Sequence, residues 1–163
     1  MSQQVLKMIG NYAEMIQERS VLLGEIATFS GMTAEEVIEA MNFHQPEGER
    51  VMSSPACDRI EHIALEYAER LNKLNRDWLM HLQRRYQSLV EEIAFFEQAI
   101  RALPEDLSGI MWDIVTSNMS WDSIAEKHSV SRSSIGYKRK KAIEALDRLY
   151  FKRNQRYADY VMG

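Results

Sequence analysis

The chain predicts an all-α protein: a long N-terminal helical hairpin of coiled-coil-like character, followed by a cluster of shorter helices. Prolines occur only at 46, 55 and 104, and the β-branched alternation that builds strands is scarce. Apolar residues instead recur three or four apart through the long segments, the spacing of one helical face. The single cysteine, Cys57, excludes an intrachain disulfide, and residues 1–9 lack the basic region and apolar run of a secretory leader. No stretch reaches the roughly 18 continuous apolar residues that a membrane span requires. A cytoplasmic protein without membrane association is the expectation.

In the first segment, apolar side chains at 5, 8, 12, 15, 22, 26 and 29 keep helical spacing, with Arg19 interrupting the stripe and Gly10 and Gly24 weakening it. Thr33 and Glu36 have the spacing of a capping box, in which each side chain bonds the other's backbone amide, and open a short helix through Met41. Residues 44–55, with Pro46, Gly48 and Pro55, read as a loop. From Ile60 and Ile63 the next stripe passes through Tyr67, Leu71, Leu74, Trp78 and Leu82. It continues by Tyr86, Leu89, Ile93, Phe96 and Ile100 to Leu103, where Pro104 stops it.

The mean step along that stripe is about 3.6 residues, so a regular supercoil is not implied. Roughly 45 residues at 1.5 Å rise extend about 65 Å, more than a compact core needs. Such a rod calls for partners: the N-terminal helix folded back antiparallel, and a second subunit or another protein along the rest. Residues 1–103 are therefore expected to serve oligomerisation or partner binding, with a homodimer favoured.

Residues 104–163 change pattern. A helix over 105–117 turns Leu107, Ile110, Met111, Ile114 and Val115 inward; Ser120 caps a second helix over 121–128 with Ile124 and Ala125 inward. After a tight turn, Ser131 caps a longer helix that turns Ile135, Ala142, Ile143, Leu146 and Leu149 inward and Arg132, Ser133, Gly136, Tyr137 and Arg139 outward. Ala125, Ser129 and Ile135 have the offsets of a helix-turn-helix: a small residue, a turn about four residues later, and an aliphatic anchor about six beyond it.

Charge separates along the sequence. Residues 127–156 hold ten basic side chains against Glu144 and Asp147, about +8, in a chain of formal net charge -4, so the remainder is near -12. One end suits a phosphate backbone and the other repels it, although a solvated charged helix shows the same run. In a helix-turn-helix the first two turns of the second helix enter the major groove. There Arg132 offers a bidentate donor to guanine and Tyr137 reaches base edges, while Arg139, Lys140 and Lys141 hold phosphates. An ordinary three-helix bundle with a basic face is the plainer alternative.

A family resemblance rests on ALPED at residues 102–106, MSWDSIAEKH at 119–128, SVSRSSI at 129–135 and KAIEAL at 141–146. These resemble region 4 of sigma factors. With the GERVMSS of residues 48–54 and the long helix after it, the chain is similar to small phage and mobile-element regulators, a broad group that includes the ArpU-like and RinA-like late-gene activators. The resemblance covers about residues 45–150. It implies a C-terminal sigma region 4-like helix-turn-helix in residues 104–163, with a basic aromatic tail, and double-stranded DNA and host RNA polymerase as partners. It places the base-reading positions on Arg132, Ser133, Gly136 and Tyr137; the phosphate contacts expected around them are Ser120, Ser131, Lys138, Arg139, Lys140 and Lys141. Gly136 removes a side chain from the reading surface, Lys138 replaces a usual aliphatic residue and Ser129 replaces the customary turn glycine. These departures point to an operator other than the promoter −35 element. No segment resembles sigma region 2, so the chain alone is not expected to melt a promoter.

Other chemistry is not indicated. His44, His62, His81 and His128 never place two on one helical face within a turn, so no metal site or cofactor is expected. Glu35 with Glu36, and Glu91 with Glu92, are neighbours that point apart rather than an acid and base pair, and no nucleophile motif or glycine-rich phosphate loop occurs. An enzyme is not expected. The ten methionines read first as core filling, Trp78 as a helix–helix anchor, and residues 150–160 as a tail that extends the DNA footprint or covers the long helix. Two other functions fit the same layout: a small-terminase-like packaging subunit, and an interaction module that binds polymerase or sigma without reading DNA.

Overall fold

The computed structural model describes residues 3–37 and 57–163, with side chains in the second stretch from residue 66 onward. The described residues are helical, with no strand among them. The helices are α1 (Gln3–Thr28), α2 (Cys57–Arg101), α3 (Glu105–Thr116), α4 (Trp121–Lys127) and α5 (Arg132–Met162). The all-α expectation is met, and no described helix is long and apolar enough to cross a membrane. The loop expected at 44–55, the end of the short helix beyond residue 37, and the side chains of Ile60 and Ile63 lie outside what is described.

The chain divides into two compact units: Met1–Val21 with Gln87–Gly163, and Leu22–Tyr86. The expected boundary at residue 104 falls inside the first unit. Pro104 ends the helical hydrogen bonding of α2, but its carbonyl at once accepts from the Leu107 and Ser108 amides (2.9 and 2.8 Å), so the chain turns into α3 without leaving the core. Glu105 and Asp106 in the first turn of α3 complement the positive end of its dipole.

In the first unit, Val5, Met8 and Tyr12 of α1 are buried, as are Leu89, Ile93, Phe96 and Ile100 of α2. Tyr12 meets the Phe96 ring at 5.8 Å and the Trp112 ring edge-on at 6.4 Å. Its hydroxyl donates to Glu97 at 2.7 Å, and burial together with that carboxylate pushes the phenol up to about 12. On α5 the buried stripe is Ile135, Ala142, Ile143, Leu146 and Tyr150, the last set edge-on to Phe95 at 4.8 Å. The sequence stripe of this region is therefore its core. The basic aromatic tail continues α5, which runs unbroken to Met162, and Arg153 lies over the Phe95 ring of α2 at 4.3 Å.

In the second unit, Asn75 straps the chain that follows α1: its side chain accepts from the Met32 amide (2.7 Å) and donates to the Met32 carbonyl (3.3 Å). Gly31, at φ +96, makes that approach possible in a backbone region that disfavours side chains. The Thr33–Glu36 capping box forms as expected, with the Thr33 amide donating to Glu36 at 2.7 Å and the Glu36 amide to Thr33 Oγ1 at 3.3 Å. The Thr33 amide and the Thr33 hydroxyl (3.1 Å) both donate to the Glu36 carboxyl and hold it below the usual carboxylate range.

Candidate functional site

The site is built on α3, α4 and α5. Ile110, Ile124, Ala125 and Ile135 form one buried cluster, with Ile114 and Val130 packed against it. Four aliphatic side chains from three helices thus fix how α4 crosses α5, and the small Ala125 allows the close approach. The starts of α4 and α5 are each capped by a serine: Ser120 Oγ accepts from the Ser123 amide and Ser131 Oγ from the Ser134 amide, both at 3.2 Å.

The turn between α4 and α5 has a specific chemistry. The Val130 amide donates to the Ala125 carbonyl at 2.9 Å and the Ser129 amide to the Glu126 carbonyl at 3.1 Å. These are the two bonds of a Schellman motif, accompanied here by packing of Val130 on the same apolar cluster as Ala125. The motif needs a left-handed residue, and Ser129 supplies it at φ 53. Glycine would do so without the clash of a Cβ, so this turn keeps its geometry through the bonds and packing around it.

Of the five residues expected to face outward, Arg132, Ser133, Gly136 and Tyr137 lie together on the first two turns of α5, and Arg139 is half-buried. At about 100° per residue, Arg132, Ser133, Gly136, Tyr137, Lys140 and Lys141 span roughly one half of α5, with Ser133, Tyr137, Lys140 and Lys141 on the solvent side and Arg132 and Gly136, in its first turns, beside the stripe led by Ile135. Arg132, Ser133, Tyr137, Lys140 and Lys141 are exposed. Arg132 lies 3.2 Å from the Asp122 carboxylate, but both side chains are about two-thirds exposed, so water screens the pair and another anion can replace it. Ser133 Oγ sits 3.0 Å from Ser131 Oγ. A side chain at Gly136 would meet only the edge of Trp121, at 3.8 Å. Lys141 Nζ stands 4.7 Å over the Tyr137 ring, and its hydrogen bond to that tyrosine raises its pKa. Ser120 and Ser131 are exposed caps.

Two of the expected phosphate residues sit apart from this arc. Lys138 turns to α3 and pairs with Asp106 at 2.5 Å, its side chain only 22% exposed, and Arg139 is half-buried. The Lys138 hydrogen bond holds the Asp106 carboxyl low.

Sequence reasoning missed the polar clamp behind the turn. Asp113, on the inward side of α3, accepts from Lys127 Nζ at 2.8 Å and from His128 Nε2 at 2.6 Å. Burial pushes its carboxyl up, yet these two bonds outweigh burial and hold it below the usual range. Gly109 makes room for the His128 ring, since a Cβ there would come within 3.1 Å of it. The signal was present: Asp113 stands three residues after Ile110, on the stripe that the aliphatic residues define. Among the described residues no three His, Cys, Asp or Glu side chains gather as metal ligands.

No family model, no curated protein and no solved structure matches this chain.

Proposed function

We propose that the chain is a sequence-specific double-stranded DNA-binding regulator of transcription, of phage or mobile-element type, that reads the major groove with the start of α5. The observation that carries this reading is the exposed arc on a helix whose opposite face is locked. Ile135 is fully buried and Ser131 caps the helix, so Arg132, Ser133, Gly136 and Tyr137 are presented from a rigid support rather than a loop. In this reading α4, the Schellman turn and α5 are a sigma region 4-like helix-turn-helix, with α3 as the support helix.

Each residue takes a distinct role. Arg132 exchanges Asp122 for a guanine edge, the partner a guanidinium fork fits best in the major groove. Tyr137 contacts base edges or thymine methyls, and Gly136 leaves a gap beside it. Lys140 and Lys141 neutralise phosphates, joined by the Ser120 and Ser131 caps at the helix N-termini. Lys138 serves the fold through Asp106. The long helices α1 and α2 supply the oligomer contact or the polymerase contact.

Titration of full-length protein against a preferred duplex and an unrelated one, at two salt concentrations, tests the assignment. Arg132→Ala weakens binding to the preferred duplex by about 1 to 3 kcal/mol and leaves the unrelated one nearly unchanged, whereas Lys140→Ala with Lys141→Ala weakens both and flattens the salt dependence. Equal losses on both duplexes for Arg132→Ala would remove its base-reading role.

A further inference from the structure

The second half of α5 carries a surface unlike its first half. Ala102, Leu103 and Pro104 face Ala145, Leu149 and Phe151 across a groove of about 700 Å³. A smaller cleft of about 230 Å³ shares Ala102, Leu149 and Lys152 with it and adds Phe95 and Ala99, so the two form one apolar trough. Phe151 is 68% exposed on its wall. From Ala145 to Arg156 the trough follows α5 for about 16 Å, which matches three turns of a docked helix.

Its rim is basic. Arg148 and Lys152 line the larger groove with Gln155 and Asp147, and Arg156 lines the smaller cleft with Lys152. Three cations against one carboxylate around an apolar floor favour an occupant with an apolar stripe and acidic flanks. The tail of a second copy fits less well, because Lys152, Arg153 and Arg156 outnumber Asp159 in it and meet the rim with like charge. Duplex DNA has no use for a floor of Phe151 and Leu149. The trough is also centred about 24 Å along α5 from the proposed reading residues, so both surfaces can be filled together.

We propose that this trough binds an acidic amphipathic helix of a partner protein. The probe is a labelled peptide of about 16 residues with leucines at helical i, i+3, i+4 and i+7 spacing and glutamates elsewhere, compared with a twin carrying lysine for glutamate. Fluorescence anisotropy with the full chain should show the glutamate peptide binding at least about tenfold tighter. Arg148→Glu with Lys152→Glu should cost the glutamate peptide at least about tenfold and shift preference to its twin. Ala102→Trp, which fills the floor without changing charge, should weaken both. Thermal unfolding of each variant checks that these exposed substitutions leave the fold intact.

Equal binding of the two peptides, or none, overturns the proposal. So does a concentration-dependent self-association abolished by Phe151→Glu, which would make a second copy the occupant. Loss of duplex binding in the Arg148→Glu, Lys152→Glu variant with no peptide effect would assign the rim to DNA instead. The proposal is independent of the DNA reading: Lys140→Ala with Lys141→Ala should leave peptide binding unchanged.

Discussion

The two compact units carry the same helical spacing of apolar residues but bury them to different depths. In the first unit Leu89, Ile93, Phe96 and Ile100 of α2 are essentially inaccessible, because α1, α3 and α5 supply further walls. In the second, Leu82 of that stripe is buried, but its continuation through Tyr67, Leu74 and Trp78 is 39 to 43% exposed. Spacing thus reports that a helix has a face, whereas depth of burial depends on how many other elements converge on it. Trp78 illustrates the point: its ring stacks on the neighbouring His81 at 5.5 Å and it remains among the exposed large apolar residues.

Truncations should reproduce this contrast most strongly at Phe96. Phe96→Ala removes a fully buried ring and should cost about 3 to 5 kcal/mol in denaturant unfolding. Leu74→Ala, at 43% exposure, should cost less than about 1 kcal/mol. Similar losses at the two positions would mean that the second unit has a core as closed as the first.

Between those limits lies the polar clamp. Asp113→Ala should destabilise the first unit by about 1 to 3 kcal/mol at neutral pH, since it removes two charge-assisted bonds behind the turn. The pH dependence has a definite sign. A carboxyl held below its unfolded value contributes stability that is present above that unfolded value, near 4, and lost as pH falls through the lowered one. The gap between the parent chain and Asp113→Ala should therefore be full at pH 7 and shrink below pH 4. A constant gap from pH 7 to pH 2 would assign the effect to packing rather than to charge.

The smallest effect is expected at the turn. Ser129→Gly should raise stability by about 0.5 to 1 kcal/mol, because glycine takes the left-handed conformation without a Cβ clash. A loss instead would show that the serine side chain holds the turn in a way that outweighs its backbone cost.

Much of the fold was legible because helix boundaries rest on local chemistry. Pro104, the Thr33–Glu36 box and the serine caps at 120 and 131 all act within four residues of themselves, and each functions where the sequence placed it. The arc from Arg132 to Lys141 was legible for the same reason, since the position of one anchor, Ile135, fixes the direction of its neighbours. What escaped was long-range pairing. The Lys138–Asp106 and Asp113–His128 contacts join residues 32 and 15 positions apart, and no periodicity encodes them. The tail continues α5 to Met162, and Tyr150 and Arg153 meet the Phe95 ring of α2 at 4.8 and 4.3 Å, so part of it covers the long helix, one of the two placements expected for it.

Selection of bound sequences from a random duplex library with full-length protein, followed by titration of the winner at two salt concentrations, tests the central claim most directly. DNA readout from the start of α5 predicts an enriched motif, weaker binding at higher salt, and loss of that enrichment in Arg132→Ala. Absence of both enrichment and salt-sensitive binding would contradict it, and would leave the capped, rigid arc as a surface for something other than DNA.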